Sequence, residues 1–134
     1  MRGVALLMVI LCAAAVRSSP AAAPGGEVAR GGYLVNRVAM CVQCHSPRDG
    51  SGELDRTRLL KGAPMPIRSP FPGQVWAFSA PSIAGLPGWT DADATALLTT
   101  GRRLTGYAPK PPMPAFRLGD EDARAIIAYL HSMR

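Results

Sequence analysis

Five consecutive residues, Cys41-Val42-Gln43-Cys44-His45, constrain this chain more than anything else among its 134 residues. Cys-x-x-Cys-His is the attachment pattern of a c-type haem. Two thiols about one helical turn apart can add across the two vinyl groups of a porphyrin. The next residue, His45, is then held under the iron as proximal ligand. Other uses of these residues fit less well. A thioredoxin-like pair wants a strand-helix-strand context, which the flanking sequence lacks. A structural zinc site needs four ligands, and only Cys41, Cys44, His45 and His131 are available, without finger-like spacing. A disulfide across two residues would be strained.

The surrounding sequence points the motif out of the cytoplasm. Arg2 precedes an uncharged apolar run, Gly3 to Leu11, and small residues follow at Ala13 to Ala15 and Ala21 to Ala23. Charge, apolar core and small residues in that order make a secretory leader. Residues 1–23 are therefore expected to be removed, leaving 24–134 as one periplasmic domain. The apolar run is short of the ~20 residues that span a bilayer, so membrane contact is expected only if the leader is retained. Cys12 lies in the leader behind bulky Leu11, a poor lipoprotein site. The mature chain then keeps two of three cysteines, both in the motif.

The net charge of +6 falls to about +4 without Arg2 and Arg17. Its basic residues are scattered, with no run of five or six and few aromatics between them, which argues against nucleic acid. A solvated basic face that steers an acidic protein partner fits better.

Helical spacing is visible over Glu27 to Met40, where Val28, Gly31/Gly32, Val35 and Val38/Ala39 recur. Two adjacent glycines cost a helix ~1 kcal/mol each against alanine, so a close approach by another helix is expected there. Ser46 to Trp89 holds seven prolines and no regular pattern. A segment that long makes sense if it wraps a large non-protein core. A helix is expected over Thr90 to Thr100, opened by Thr90 and Asp93 as a capping box and stopped by Gly101, with Leu97 and Leu98 inward. A stiff loop follows, Leu104 to Leu118. The last helix is expected from Asp120 to Met133, with Asp120, Glu121 and Asp122 favouring its dipole and Ala123, Ile126, Ile127 and Leu130 as its apolar stripe. No strand or internal repeat is expected.

A second axial ligand could be sulfur. Met40 is tied to the proximal side by Cys41, and Met133 ends a helix. Met65 and Met113 each sit between prolines, in Pro64-Met65-Pro66 and Pro112-Met113-Pro114, where the rings stiffen the loop and remove amide donors. His131 is the histidine alternative, although mid-helix it reads as a surface or packing residue. The residues alone leave Met65 and Met113 both open.

In its order of short motifs the chain resembles the class I cytochrome c family, and within it the small cytochrome subunits and domains of periplasmic alcohol- and aldehyde-type dehydrogenases. The motifs are Gly32-Tyr33-Leu34-Val35, Cys44-His45-Ser46-Pro47-Arg48-Asp49, Ala80-Pro81-Ser82-Ile83, Trp89-Thr90-Asp91, Gly101-Arg102-Arg103, Pro111-Pro112-Met113-Pro114 with Phe116-Arg117-Leu118, and Asp120 to Leu130. The resemblance covers most of the mature chain. It implies an all-α, cytochrome c-like fold, three to four helices with long loops wrapped around one covalently attached haem c. It implies Met113 as distal ligand, and a tight crossing of the first and last helices that would set Gly31/Gly32 against Tyr129. The sequence departs from the family at Gly119, where a hydroxyl residue usually caps the last helix.

The expected function is that of a mono-haem electron carrier, not an enzyme. It would pass single electrons from an exported dehydrogenase to a cytochrome or oxidase acceptor, with Cys41, Cys44, His45 and Met113 holding the haem and His45 and Met113 on the iron. Trp76, Trp89 and Phe116 could pack against it. The competing expectation is a haem enzyme or gas sensor with an open distal site. That reading needs placed acid-base groups, and Asp120, Glu121 and Asp122 look like helix-start charge instead.

Overall fold

Two helices distant in sequence meet at a pair of glycines, and the rest of the chain is arranged around that crossing. The computed structural model describes residues 24–133; the expected leader, with Cys12, lies outside them. Helix α1 spans Pro24–Tyr33 and α4 spans Asp120–Ser132. A Cβ on Gly31 would run into the Ala125 carbonyl and lie 2.7 Å from Tyr129 Cβ; one on Gly32 would meet the Tyr129 ring at 3.0 Å. The costly glycines are thus explained by backbone proximity. Arg30 Nε donates to Asp122 Oδ1 at 2.7 Å across the same crossing.

The first helix does not continue to Met40 as its periodicity suggests. From Leu34 to Val38 it widens into a π-turn, and Ala39 N–H reaches back five residues to Leu34 O at 2.8 Å. Asn36 sits in this turn and bridges: its Nδ2 donates to Gly32 O at 2.7 Å and to Tyr129 O–H at 3.0 Å. Met40 then adopts φ 55°, a left-handed conformation that swings the chain into the short helix α2, Cys41–His45.

Helix α3, Asp91–Thr100, starts and stops as its end residues dictate. Thr90 accepts from Asp93 N–H at 3.1 Å. Gly101 closes it at φ 77°, its N–H bonded to Leu97 O at 2.8 Å. Ala94, Leu97 and Leu98 are buried. Helix α4 buries Ala123, Ala125, Ile126, Ile127 and Leu130, while Gly119 at its N-cap offers no side-chain bond.

Ser46 to Trp89 contains no helix, but it is tied down. Asp49 Oδ1 accepts from Ser51 N–H and Oγ–H and from Glu53 N–H. Asp55 does the same for Thr57 and also takes Arg58 Nε–H at 2.7 Å. The expectation of no strand is corrected by one small antiparallel ladder, β1 (Ala63–Pro64) against β2 (Ser79–Ala80). Strands of two residues are too short to leave an alternating pattern. Among the described residues the fold is four α-helices and this ladder.

Candidate functional site

Helix α2 carries the Cys-x-x-Cys-His motif against the inner end of the first helix, and the segment after it forms a shelf under His45. Gly62 N–H donates to His45 O at 2.8 Å. Ser46, buried beside it, accepts from Leu60 N–H at 2.9 Å, and Leu60 is fully buried. Leu60 O in turn accepts from Ile83 and Ala84 N–H. These bonds bring Pro81 to the imidazole, where His45 Nδ1–H donates to Pro81 O at 2.8 Å. A backbone carbonyl can only accept, so this contact fixes the tautomer and leaves Nε2 as the nitrogen with a free lone pair. Burial pushes the His45 pKa down, partly offset by the Pro81 carbonyl. Burial, the larger effect, favours the neutral imidazole, and the Pro81 carbonyl orients it.

Cys41, Cys44 and His45 line a cavity of about 460 Å³ with mostly apolar walls. Leu97 and Leu98 of α3 and Ile126, Ile127 and Leu130 of α4 supply one side; Trp76, Trp89 and Phe116 add aromatic surface. Met113 lines it, and so does Met65. The motif, both candidate methionines and all three aromatics named from the sequence are therefore brought together. The two methionines come from different segments of the chain. Met65 follows β1 and is held by Met65 N–H donating to Phe78 O at 2.8 Å, on the ladder that adjoins His45 and Pro81. Met113 sits in the loop between α3 and α4, anchored by Leu118 N–H to Leu98 O at 3.0 Å and by Ala77 N–H to Pro111 O at 2.8 Å.

His131 is not at the cavity. Its Nε2–H donates to Asp91 Oδ1 at 2.8 Å, between α4 and α3. Among the described residues no three His, Cys, Asp or Glu side chains gather as a metal site, which disposes of the zinc set. The dithiol reading fares no better. Burial, aided by Cys44 beside it, pushes the Cys41 thiol up to about 11, whereas an attacking thiol needs a lowered pKa. Both cysteines are free.

The donor set matches a c-type haem: two thiols one helical turn apart, one imidazole nitrogen freed for a metal, thioether sulfur and an apolar enclosure. Cys41 and Cys44 would hold the porphyrin, and His45 would face the iron. Sequence reasoning did not assign Pro81 its role, nor find Tyr107 and Lys110 on the cavity wall. Pro81 could have been suspected, because a ligating histidine normally gives its other N–H to a carbonyl or carboxylate. Tyr107 and Lys110 carry no such signal.

Residues 26–130 match the family described as cytochrome c oxidase, cbb3-type, subunit III. The chain is 31% identical over 114 residues to the fructose dehydrogenase cytochrome subunit of Gluconobacter japonicus, covering 78% of this chain and 21% of that protein. It is 34% identical over 110 residues to a dihaem c-type cytochrome of Cereibacter sphaeroides, covering 78% and 34%. It is 33% identical over 117 residues to the cytochrome c subunit of the quinone alcohol dehydrogenase of Gluconobacter oxydans, covering 80% and 24%. The matched part is thus 21% to 34% of the length of these relatives.

Proposed function

The chain belongs to the cytochrome c family of the cbb3-type oxidase subunit III kind, and from that premise we propose that it is a mono-haem c-type cytochrome carrying single electrons from an exported dehydrogenase to a downstream respiratory acceptor. One observation carries the reading. Cys41, Cys44, His45 and Met113, drawn from segments far apart in the chain, line one apolar cavity in which His45 Nδ1–H is already spent on Pro81 O. The names of the relatives support a dehydrogenase donor, two of them being cytochrome subunits of a fructose and an alcohol dehydrogenase. The single motif argues for one haem, and the leader of residues 1–23 argues for a periplasmic, cleaved form. Among the described residues no helix is long and apolar enough to cross a membrane.

Bound haem supplies a one-electron change at iron. The protein's part is to hold, shield and tune it. His45 and a methionine sulfur would hold the iron, and thioether ligation with burial would favour its reduced state. Met113 is the proposed distal ligand because Met65 comes from the ladder beside His45 and Pro81, while Met113 comes from the loop between α3 and α4. His131 is engaged with Asp91, so no histidine is left in the cavity to activate a bound gas, which weighs against the enzyme or sensor reading.

The test is spectroscopic, on protein exported from a host that attaches c-type haem. One haem per chain, a far-red sulfur-to-iron band in the oxidised form and no response of the reduced form to carbon monoxide are expected. Met113→Ala should abolish the far-red band and open the iron to carbon monoxide, while Met65→Ala should leave both unchanged. The reverse pattern would move the ligand to Met65. Carbon monoxide binding by the unaltered protein would replace the carrier with a gas-binding function.

A further inference from the structure

Of the exposed large apolar side chains among the described residues, Tyr33, Val38 and Leu104 lie apart on other segments, and the rest fall into two sets. Met40, Phe78 and Tyr107 line the cavity, so a bound porphyrin accounts for their exposure. Ile67, Phe71 and Val75 do not line it, yet they are 55%, 66% and 65% exposed. Single exposed apolar residues need no explanation; three on one short loop do.

That loop, residues 66–76, is held in shape rather than left to collapse. Its base is closed by Met65 N–H donating to Phe78 O at 2.8 Å and by Trp76 Nε1–H donating to Ile67 O at 3.1 Å. Inside it Ser69 Oγ–H bonds Gln74 Oε1 at 2.8 Å and Phe71 N–H bonds Ser69 Oγ at 3.1 Å. Ser69, Gln74 and the Trp76 indole N–H are spent on the loop's own frame while Ile67, Phe71 and Val75 face water. Trp76 belongs to two structures at once. Its N–H closes the loop and its side chain lines the haem cavity.

Charge gives the loop a sign. Between Asp55 and Asp91 the chain has no acidic residue, but it has Arg56, Arg58, Lys61 and Arg68, the last on the loop itself. Lys110 lines the cavity one residue from Pro111, whose carbonyl accepts Ala77 N–H at 2.8 Å beside Trp76. Among the described residues neither Arg68 nor Lys110 is in an ion pair.

We propose that the 66–76 loop is the docking surface for an acidic redox protein: Ile67, Phe71 and Val75 meet an apolar patch on the partner, Arg68 and Lys110 meet its carboxylates, and Trp76 links the contact to the haem. The proposal rests on the electron-carrier reading and adds the place and chemistry of encounter. An apolar tip with basic neighbours also suits an anionic lipid surface. A protein partner is favoured because the loop adjoins the cavity through Trp76, and an electron carrier must bring its partner near the cofactor. Three apolar side chains suit the small interfaces, under about 1,200 Å², of transient redox complexes. Basic neighbours raise the encounter rate with an acidic surface.

The test uses haem-loaded, full-chain protein and two oxidants, plastocyanin as an acidic copper protein and a small cobalt complex that needs no docking. Two variants are compared with the parent, the triple exchange of Ile67, Phe71 and Val75 to serine, and Arg68→Glu. Each must keep the parental visible spectrum and reduction potential, and Arg68→Glu serves alone if the triple variant does not fold. The expected result is oxidation by plastocyanin slowed tenfold or more in both, with oxidation by the cobalt complex unchanged. The parental rate should also fall as the Debye length shrinks from about 30 Å to about 8 Å on adding salt, and Arg68→Glu should flatten that fall. Unchanged plastocyanin rates in both variants overturn the docking surface while leaving the carrier reading intact. Failure of the parent to give up electrons to either oxidant overturns both. Loss of binding to phosphatidylserine vesicles with unchanged electron transfer overturns the protein partner in favour of lipid.

Discussion

At Gly31 the first and last helices approach so closely that a methyl group has no room. The added carbon would meet the Ala125 carbonyl, which is backbone and cannot swing aside. At Gly32 the obstacle is the edge of the Tyr129 ring at 3.0 Å, a side chain that can tilt by a few tenths of an ångström. Gly31→Ala is therefore expected to destabilise the haem-loaded protein by about 1–3 kcal/mol, the usual range for overpacking. Gly32→Ala should cost less than Gly31→Ala. Thermal melts followed by haem absorbance would rank them, and equal losses would mean that the crossing relaxes as a whole. The need for small residues was legible in the sequence, because glycines inside a helix-spaced pattern demand a reason. The Asn36 bridge to Tyr129 was not, since a lone Asn in a helical stretch looks the same whether it opens a π-turn or faces water. Pro81 as the His45 acceptor was hidden for another reason: it acts through its carbonyl, which every residue has.

Elements announced by local chemistry were legible, and those made by distant pairing were not. Thr90 with Asp93 and Gly101 mark the ends of α3 through bonds within a few residues, and Asp120, Glu121 and Asp122 mark the start of α4 by first-turn charge. The β1–β2 ladder joins residues sixteen or so apart, over two positions per strand, and nothing local requires it. The turns of the 46–62 segment lie between these cases, for they are built by aspartates that fold the backbone around themselves. Asp55 bonds Thr57 N–H, Thr57 Oγ–H and Arg58 Nε–H, and the Thr57 side chain first, then Arg58, pull its pKa from 3.8 to about 2. A carboxylate with a depressed folded pKa contributes stability that is whole above 3.8 and is lost as the pH falls through about 2. Asp49 and Asp93 are shifted in the same direction. Asp55→Asn should thus lower stability at neutral pH and make the acid unfolding curve shallower between those two values. An acid titration read by far-ultraviolet circular dichroism checks this. A curve parallel to the parent's would mean that the exposed Asp55 turn opens independently of the fold.

At the scale of the molecule the question is what fills the middle. A domain the size of the described residues 24–133 covers only about two-thirds of the surface its unfolded form exposes, and this one spends much of its length on loops. Its buried leucines and isoleucines from α3 and α4 turn toward the cavity as much as toward one another. Without an occupant, the apolar lining of this cleft, whose rim includes Phe78 at 94% exposed, would face water, and the hydrophobic penalty of that exposure would favour collapse of its walls. The proline-rich stretch from Ser46 to Trp89 was expected, from its length without regular pattern, to wrap a non-protein core, but the apolar cavity it borders emerges only from the fold. The expected consequence is that the protein made in a host without c-type haem attachment, or as the Cys41→Ser, Cys44→Ser double variant freed of haem, lacks a cooperative melt. It should keep some helical circular dichroism, because α1 and α4 still have their glycine contact, and lose the fixed aromatic signals of Trp76 and Trp89. A sharp melt within a few degrees of the haem-loaded protein's would mean that the helices close over the cavity unaided, and that the haem is a guest in this fold instead of part of its core.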